Sequence, residues 1–284
     1  MKNNILIIGA GPAGVSLATY LKRFNIPCMV FDNNMSNLNK AHNIENYYGF
    51  TSISGQELYL KGKEKLKELD IDLINDDVIS IEYMNDFVVK TTKNVYEGKI
   101  LVLASGLAKK SLILPHLAQF EGKGVSYCAT CDGFFYRKKK IAIIGSTSYM
   151  EEELNVLKRL SDDITIFSNG NEYQNNDFKV IEDKIIDIDG IDNQRIIKTE
   201  ANDYSFDGIF IAEGNMGSFQ IIKHLGIGIN QNGEVIVDQN YMTNIPNCYA
   251  IGDIIPNIKQ IGIAQADGIK LSYHLLKMEK KEAE

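Results

Sequence analysis

The residues best suited to chemistry are two cysteines three positions apart, Cys128 and Cys131, directly followed by Asp132. Two thiols at this spacing can close a small disulfide ring, and an adjacent helix N-terminus would lower the pKa of the attacking thiol. A carboxyl group beside such a pair can move a proton when the dithiol forms. The segment therefore predicts a catalytic redox site made by Cys128, Cys131 and Asp132.

A zinc site is the alternative use of two cysteines at this spacing. Zinc would need a second pair of ligands, but Cys28 and Cys248 are single residues beside predicted strands. The four histidines show no ligand spacing either. The sequence thus predicts no metal site, and we expect the two single cysteines to lie in the core.

A second chemical motif is the stretch Gly9-Ala10-Gly11-Pro12-Ala13-Gly14, which follows an apolar run and opens a helical pattern. In dinucleotide-binding folds the first glycine permits a tight turn and the second lets the backbone approach a pyrophosphate. The third lets helix and strand pack closely, and the helix N-terminus faces the phosphates. Asp32, eighteen positions after Gly14, ends the next predicted strand, where an acidic side chain would hold a ribose hydroxyl. The motif predicts a dinucleotide site and by itself leaves FAD and NAD both open.

Composition argues against several other classes of protein. The 284 residues carry a formal net charge of −7, whereas nucleic-acid partners favour a basic face. No apolar run is long enough to cross a membrane, and the N-terminal apolar run is too short for a signal peptide. We therefore expect a cytoplasmic protein with neither a membrane nor a nucleic acid as partner.

The elements that must position these residues alternate between short apolar runs and amphipathic stretches, which is typical of an α/β fold. The predicted strands are Ile5–Ile8, Met29–Phe31, Ile100–Ala104, Ile141–Ile144, Ile164–Phe167, Ile209–Ala212, Val235–Val237 and Tyr249–Ile251. The predicted helices are Ala13–Phe24, Gly55–Leu69, Met150–Leu160 and Ala264–Leu276, with Lys277–Glu284 as a frayed end. The strand and glycine turn Ile5–Gly9 reappear as Ile141–Gly145. We expect two Rossmann-like α/β domains, the second inserted in the first.

Two further segments resemble the flavin-binding stretches of the two-dinucleotide flavoprotein disulfide reductases. They are Val102–Gly106 with Ala104, Ser105 and Gly106, and Tyr249–Ile261 with Gly252, Asp253, Lys259, Gln260 and Ile261. A third segment, Asn43–Phe50 with Asn46, resembles the flavin-flanking stretch of the low-molecular-weight thioredoxin reductases. The resemblance implies that the dinucleotide is FAD. It also implies that both ends of the chain build one FAD site, together with the first glycine motif.

The segment Cys128–Tyr136, which lies between the two FAD-binding parts, resembles that of the low-molecular-weight thioredoxin reductases, and the resemblance covers nearly the whole chain. It implies that Cys131 is the flavin-facing sulfur, that Cys128 attacks the disulfide of thioredoxin, and that Asp132 is the acid. It also implies a homodimer. The expected domains are a discontinuous FAD-binding domain, residues 1–106 and 215–284, and a small inserted redox domain, residues 107–214, which carries the cysteine pair.

The second glycine turn departs from the pattern of NADPH-using relatives, which read GGGxSAxEEA there and HRRxxxR after the next strand. This chain reads Gly145-Ser146-Thr147-Ser148-Tyr149-Met150-Glu151-Glu152-Glu153 and then Ser168-Asn169-Gly170. Cβ atoms stand where the backbone should approach a pyrophosphate, and the arginines that would bind a 2′-phosphate are absent. The stretch between Gly145 and Gly214 is also short for a complete nucleotide-binding domain. The degenerate motif predicts that NADPH binding is lost.

This combination resembles the ferredoxin-dependent flavin thioredoxin reductases, which implies reduced ferredoxin as electron donor and thioredoxin as acceptor. An acidic ferredoxin would need a basic patch, for which Arg137-Lys138-Lys139-Lys140 and Lys109-Lys110 are candidates. Three alternatives stay open: a dithiol oxidase that passes electrons to oxygen, an NADPH-dependent thioredoxin reductase with an aberrant site, and a noncatalytic flavin redox sensor. The intact segment Cys128–Gly133 favours the thioredoxin reductase over the oxidase and the sensor.

Overall fold

The chain forms two compact units in a computed structural model, which describes residues 5–106, 112–213 and 218–282. Unit 1 joins Met1–Ala108 to Leu225–Glu284, and unit 2 is the continuous stretch Lys109–His224. Each unit contains a five-stranded parallel sheet and a separate three-stranded antiparallel sheet. The predicted α/β fold class with two Rossmann-like domains is confirmed.

The described residues form short strands and helices. The strands are β1 (Ile5–Ile8), β2 (Cys28–Asp32), β3 (Asp72–Asn75), β4 (Val78–Tyr83), β5 (Phe87–Thr91), β6 (Val95–Gly98), β7 (Ile100–Leu103), β8 (Val125–Ser126), β9 (Ile141–Ile144), β10 (Ile164–Phe167), β11 (Lys179–Ile181), β12 (Ile185–Ile191), β13 (Gln194–Thr199), β14 (Asp203–Phe206), β15 (Gly208–Ile211) and β16 (Cys248–Ala250). The α-helices are α1 (Pro12–Arg23), α2 (Gly55–Glu68), α3 (Leu117–Phe120), α4 (Ala129–Asp132), α5 (Ser148–Leu157), α6 (Ser218–His224) and α7 (Ile261–Glu282).

The parallel sheet of unit 1 has the strand order β16-β7-β1-β2-β3. Strand β1 is buried along its whole length, as expected where both faces of a parallel sheet are covered. The carboxyl ends of parallel strands lie at one edge of the sheet. Gly9 lies just beyond β1, Ala104 follows β7, Asp32 ends β2 and Gly252 comes shortly after β16. These four predicted site residues therefore lie along one sheet edge, on four adjacent strands.

Helices α1 and α7 pack against each other in the core of unit 1. Leu17 and Leu21 of α1 and Leu271 of α7 are fully buried in the same apolar cluster. The helices approach closely because α7 has no side chain at Gly268, where a Cβ atom would lie 2.4 Å from the Ala13 carbonyl oxygen. The first turn of α1 is held in place by this contact.

The parallel sheet of unit 2 has the strand order β11-β10-β9-β15-β8. Strands β9, β10 and β15 are buried throughout. The stretch from Gly145 to Gly214 thus contributes β10, β11 and β15 to a regular five-stranded sheet, in spite of its short length. The degeneracy of the second glycine motif is local to the turn and leaves the sheet intact.

Two predicted elements are wrong. Val235–Val237 forms no strand: Val235 makes one isolated antiparallel bridge, with Ile229, and its N–H donates to the carbonyl of Ile254. The C-terminal end is not frayed from Lys277, since α7 continues to Glu282 through residues of high helix propensity. Helix α5 is also shifted from the predicted Met150–Leu160, beginning at Ser148 and ending at Leu157.

Across residues 5–106, 112–213 and 218–282, no helix combines the length and the apolar character that a bilayer-spanning helix requires.

We expect Gly268→Ala to destabilise the protein and Gly62→Ala, the same substitution in the interior of α2, to stabilise it. The Cβ on Gly268 would force α1 and α7 apart, whereas the Cβ on Gly62 would make an ordinary contact, 3.4 Å from Val15 Cγ2. In urea titrations the free energy of unfolding should fall by about 1–3 kcal/mol for Gly268→Ala. It should rise by about 0.5–1 kcal/mol for Gly62→Ala. Equal stability of the two variants would contradict the close α1–α7 packing.

Candidate functional site

Cys128 and Cys131 are joined by a disulfide bond at the start of helix α4. Cys128 is the N-terminal capping residue of this helix, and the Cys131 N–H donates to Cys128 Sγ over 3.0 Å. An N–H directed at sulfur stabilises a thiolate better than a thiol. The local backbone can therefore favour ionised Cys128 after reduction, which is the helix-terminus effect expected from the sequence.

The two sulfurs differ in accessibility. Cys128 is 3% exposed, whereas Cys131 is an exposed residue. The predicted attack of Cys128 on an external disulfide therefore requires the segment to move so that Cys128 becomes accessible. The separate roles of the two cysteines stay predictions.

Asp132 is half-buried and connected to the pair through Ser126. The Ser126 hydroxyl donates to Asp132 Oδ2 over 2.7 Å and accepts a 3.1 Å hydrogen bond from the Cys128 N–H. Asp132 thus lies close to the backbone of Cys128, as its position in the sequence implies. Its role as an acid stays a prediction.

A second carboxyl group, on Glu153, lies at the same segment and was missed by the sequence analysis. Glu153 is 5% exposed, and its Oε2 accepts a hydrogen bond from the Ala129 N–H. Burial raises its pKa from 4.5 to about 7. A signal was available: the buried residues of α5 recur with helical spacing, at Tyr149, Met150, Glu153, Leu154 and Leu157. This spacing puts one of three consecutive glutamates on the inner face.

The first glycine turn has the backbone geometry that a pyrophosphate site needs. Gly9 has φ +115°, and a Cβ there would lie 2.5 Å from the Ala104 carbonyl oxygen. A Cβ on Gly14 would lie 2.0 Å from the Gly9 carbonyl oxygen. A Cβ on Gly11 would meet nothing closer than 4.0 Å, and no side chain caps the N-terminus of α1. Space and N–H groups of the helix terminus are therefore available in front of Gly11 for a phosphate.

Residues from the far end of the chain meet this turn. Gly252 has φ +77°, and a Cβ there would lie 2.9 Å from Ala13 Cβ. Asp253, the next residue, is half-buried, and burial raises its pKa above the usual value. The structure thus brings the two predicted motifs, Gly9–Gly14 and Gly252-Asp253, into contact. Ser105 and Gly106, which follow Ala104 at the end of β7, lie on this same sheet edge.

The Asn46 amide donates to Gln260 Oε1 over 3.1 Å, which joins two predicted cofactor residues that are 214 positions apart. Ile261 begins helix α7 immediately after Gln260. Lys259, a third predicted cofactor residue, contacts other protein groups: its ammonium group pairs with Glu234 at 2.7 Å and also donates to the Ile255 carbonyl. Its predicted contact with a cofactor stays a prediction.

Asp32 is 7% exposed and is held by two neighbours from α2. Lys63 Nζ lies 2.8 Å from Asp32 Oδ2, and the Tyr59 hydroxyl donates to the same oxygen. A buried carboxylate needs such partners. Because both contacts converge on Oδ2, Asp32 is fixed at the end of β2 with its charge balanced by Lys63.

The second glycine turn keeps only the glycine that the fold requires. A Cβ on Gly145 would lie 2.3 Å from the Ala212 carbonyl oxygen, the counterpart of the contact between Gly9 and Ala104. Ser146 and Thr147 follow, and Tyr149 and Met150 are 1% and 0% exposed. The large side chains of Tyr149 and Met150, which the sequence analysis placed at this turn, therefore lie in the core of unit 2. The Tyr149 hydroxyl donates to the Tyr127 carbonyl over 3.2 Å.

The two parallel sheets, each with a glycine turn after its central strand, and the disulfide that lies between the two turns in sequence define the class of two-dinucleotide flavoprotein oxidoreductases. Residues 3–268 match the model of the pyridine nucleotide-disulphide oxidoreductase family, to which the chain therefore belongs. Proteins of this family that are thioredoxin reductases bind FAD, and this chain is a flavoprotein disulfide reductase of that type.

Similar proteins point to the same type of enzyme. Thioredoxin reductase of Ureaplasma parvum is 28% identical, over 94% of this chain and 93% of the relative. The atypical thioredoxin reductase TRi of Desulfovibrio vulgaris Hildenborough has a TM-score of 0.89 at 28% identity, with 99% of each chain covered. A ferredoxin-flavin thioredoxin reductase of Clostridium acetobutylicum has a TM-score of 0.73 at 29% identity, with 98% of each covered.

Two alanine variants separate the needs of the fold from those of the cofactor. Gly11→Ala should weaken FAD binding at least about tenfold and leave the thermal midpoint of the FAD-free protein unchanged, because only the pyrophosphate would meet the new Cβ. Gly14→Ala should lower both the FAD affinity and the thermal midpoint, because its Cβ would clash with the backbone of Gly9. FAD fluorescence titration and thermal unfolding measure these effects. Unchanged FAD affinity of Gly11→Ala would place the pyrophosphate elsewhere.

Proposed function

We propose that the protein reduces the disulfide of a thioredoxin through FAD and the Cys128–Cys131 pair, with electrons from reduced ferredoxin instead of NADPH. The observation that carries the choice of donor is the state of the second glycine turn. Gly145, which the fold requires, is present, whereas the position equivalent to Gly11, which is predicted to face the pyrophosphate in the first turn, is Thr147. A turn that keeps its structural glycine and loses its ligand-facing one supports the loss of dinucleotide binding.

A carboxyl group near this turn supports the same conclusion. Glu213 comes just after Ala212, which contacts Gly145, and it accepts a hydrogen bond from the Asn169 side chain. Asn169 follows β10 and Glu213 follows β15, the two strands that flank β9. The pair therefore links the strands on either side of the β9 turn. Burial raises the pKa of Glu213 above its usual value, and in its ionised form the carboxyl group would repel a phosphate.

The loop after β10 uses its polar groups internally. The buried Ser168 hydroxyl donates to the Asn171 carbonyl over 2.5 Å. Asn169 Oδ1 accepts a 2.9 Å hydrogen bond from the Ile185 N–H. In NADPH-using relatives arginines stand at this point, and here the side chains are short and bonded to the backbone of unit 2. This supports the absence of a 2′-phosphate site.

The energetics of the proposed reaction are favourable. A plant-type ferredoxin has a potential near −400 mV and thioredoxin one near −270 mV, so the difference of about 130 mV corresponds to about 6 kcal/mol for two electrons. The similarity to the ferredoxin-flavin thioredoxin reductase of Clostridium acetobutylicum supports this donor. The atypical thioredoxin reductase TRi has the higher TM-score.

Unit 1 would hold the FAD in this proposal, and unit 2 would carry the cysteine pair. Gly9, Gly11 and Gly14 would hold the pyrophosphate, with Asp32 at a ribose hydroxyl and Asp253 near the ribityl chain. The remaining predicted cofactor residues, along the same sheet edge and at the start of α7, would complete the site. When bound, FAD supplies the ability to take up electrons singly and to deliver a pair to a disulfide.

The cysteines would then exchange with thioredoxin in two steps. The Cys128 thiolate attacks one sulfur of the thioredoxin disulfide, which forms a mixed disulfide and releases one thioredoxin thiolate. The Cys131 thiolate attacks Cys128 Sγ, which closes the Cys128–Cys131 disulfide and releases the second thioredoxin thiolate. The two released thiolates take up two protons, and Asp132 is proposed to supply one of them.

Docking of an acidic ferredoxin is proposed at the exposed run Arg137-Lys138-Lys139-Lys140. Lys139 and Lys140 each extend over an aromatic ring, of Tyr136 and Phe206, at 5.5 and 5.0 Å. The second candidate, Lys109-Lys110, lies outside the described residues. The homodimer and the cytoplasmic location stay predictions.

Anaerobic reduction of the bound flavin distinguishes the donors. Excess NADPH should leave the visible flavin band unchanged, whereas reduced ferredoxin should bleach it and sustain thioredoxin reduction; an NADPH-dependent thioredoxin reductase serves as positive control. Rapid bleaching by NADPH would instead favour an NADPH-dependent reductase with an aberrant site. Steady oxygen uptake with small dithiols would favour a dithiol oxidase, and stoichiometric reduction without turnover a redox sensor.

Serine variants test the roles of the two sulfurs. Cys128→Ser and Cys131→Ser should both abolish thioredoxin reduction and keep FAD bound. Only Cys131→Ser should accumulate a mixed disulfide with thioredoxin, visible by mass spectrometry, because it keeps the attacking thiol and lacks the resolving one. Cys28→Ala should retain activity, since the Cys28 thiol is buried and burial raises its pKa to about 12. A mixed disulfide with Cys128→Ser alone would reverse the two roles.

A further inference from the structure

The buried carboxyl group of Glu153 lies on the backbone of the redox segment. Its Oε2 accepts a hydrogen bond from the Ala129 N–H, which belongs to the peptide group that joins Cys128 to Ala129. The side chain is 5% exposed and comes from α5, an element outside the cysteine segment. The fold has thus placed a titratable group at the peptide bond that follows Cys128, and the exchange steps above do not use it.

His224 connects the same carboxyl group to the second sulfur. Its Nδ1 lies 3.7 Å from Glu153 Oε1, and its carbonyl oxygen lies 3.9 Å from Cys131 Sγ. Cys131 Sγ carries no proton in the disulfide, so the distance to the His224 carbonyl oxygen is a contact and not a hydrogen bond. After reduction, the Cys131 thiol could donate to the same carbonyl. Glu153 and His224 therefore form a polar group next to both cysteines.

The other groups around Glu153 add few charges. Two groups on its own helix interact with the Glu153 carboxyl group, the carboxyl group of Glu152 and the phenol of Tyr149. Each adds a negative charge near Glu153 only when it is ionised. From α4 the carboxyl of Asp132 is hydrogen-bonded to Ser126, and from α6 the neighbour is His224. Strand β9, which packs against α5, contributes only the apolar run Ile141–Ile144.

A purely structural role would not require an acid at this position. A glutamine carbonyl oxygen could accept the Ala129 N–H equally well. Because burial raises the pKa of Glu153 to about 7, its charge changes close to neutral pH. A charge that switches beside a sulfur pair affects the ionisation of the sulfurs, and this effect is strong where water is excluded.

We propose that Glu153 is a positioning residue of the redox centre, whose buried carboxyl group sets how strongly Cys128 holds its proton once the disulfide has been reduced. The proposal deepens the proposed function, since it rests on Cys128–Cys131 being the pair that is reduced and oxidised. It does not depend on which donor supplies the electrons.

The step can be written with an external dithiol, dithiothreitol, as reductant. Dithiothreitol gives up two electrons and two protons and closes its own disulfide; the Cys128–Cys131 bond breaks, and each sulfur takes one proton. Loss of the proton from Cys128 then places a thiolate beside Glu153. Two neighbouring negative charges disfavour each other, so ionised Glu153 keeps Cys128 protonated, and a Cys128 thiolate keeps Glu153 protonated.

The test is the pH profile of Cys128 alkylation in the FAD-loaded protein, reduced anaerobically with dithiothreitol and then freed of it. The rate with iodoacetamide is resolved by fragmentation mass spectrometry and expressed as a fraction of its high-pH plateau, which removes differences in accessibility. Glu153→Gln keeps the hydrogen-bond acceptor and removes the charge, whereas Glu153→Leu removes both. Glu151→Gln is the matched control, because it removes an exposed carboxyl group from the same helix.

We expect the fractional rate at pH 7 to rise about three- to tenfold in both Glu153→Gln and Glu153→Leu, which corresponds to a thiol pKa lower by up to about one unit. Glu151→Gln should match the wild type. A wild-type profile in Glu153→Gln would overturn the proposal and leave Glu153 as a hydrogen-bond acceptor only. If neither Glu153 variant folds, the Cys128 profile of Cys131→Ser decides, because this variant removes the second thiol as a source of coupling: two steps support the proposal and a single step overturns it.

These outcomes are separate from those for the proposed function. Bleaching of the flavin by NADPH would overturn ferredoxin as donor and leave the alkylation profile unaffected. A single-step profile would overturn the role of Glu153, and ferredoxin-driven thioredoxin reduction would stand.

Discussion

The predicted FAD site depends on the close approach of three backbone segments that only glycine permits. Gly9 touches the carbonyl of Ala104, Gly14 touches the carbonyl of Gly9, and Gly252 approaches Ala13, each at a distance that leaves no room for a Cβ. These contacts join the ends of β1, β7 and β16 to the first turn of α1. Asp32 ends the neighbouring strand β2 on the same sheet edge. These backbone contacts therefore position the predicted cofactor residues along that edge.

The second sheet shows which part of such a turn is needed for folding and which for a ligand. Gly145 repeats the contact of Gly9, with the Ala212 carbonyl in place of the Ala104 carbonyl. The equivalent of Gly14 is Met150, which is fully buried. The sheet of unit 2 therefore forms with its structural glycine alone, and the positions that face a dinucleotide are free to vary. A similar architecture thus tolerates two different glycine turns in one chain.

Sequence patterns predicted the features that depend on neighbouring residues. The cysteine pair, both glycine turns and the buried parallel strands are local in the chain, and they were recognisable from spacing and residue type. The helical spacing of α5 indicates an inward position for Glu153, but its contact with the Ala129 N–H depends on the packing of α5 against α4, which no local pattern predicts. The pairing of Asp32 with Lys63 and the wrong strand at Val235–Val237 have the same origin: contacts between distant segments decide them.

The connectivity of unit 1 affects how the chain can fold during synthesis. Its sheet lacks β16 and its helix α1 lacks the cover of α7 until Leu225–Glu284 has left the ribosome, whereas unit 2 is complete at His224. The face of α1 that packs against α7 therefore stays uncovered until the residues of α7 have been made. Nascent chains that stop before α7 would contain the complete redox unit together with an incomplete unit 1.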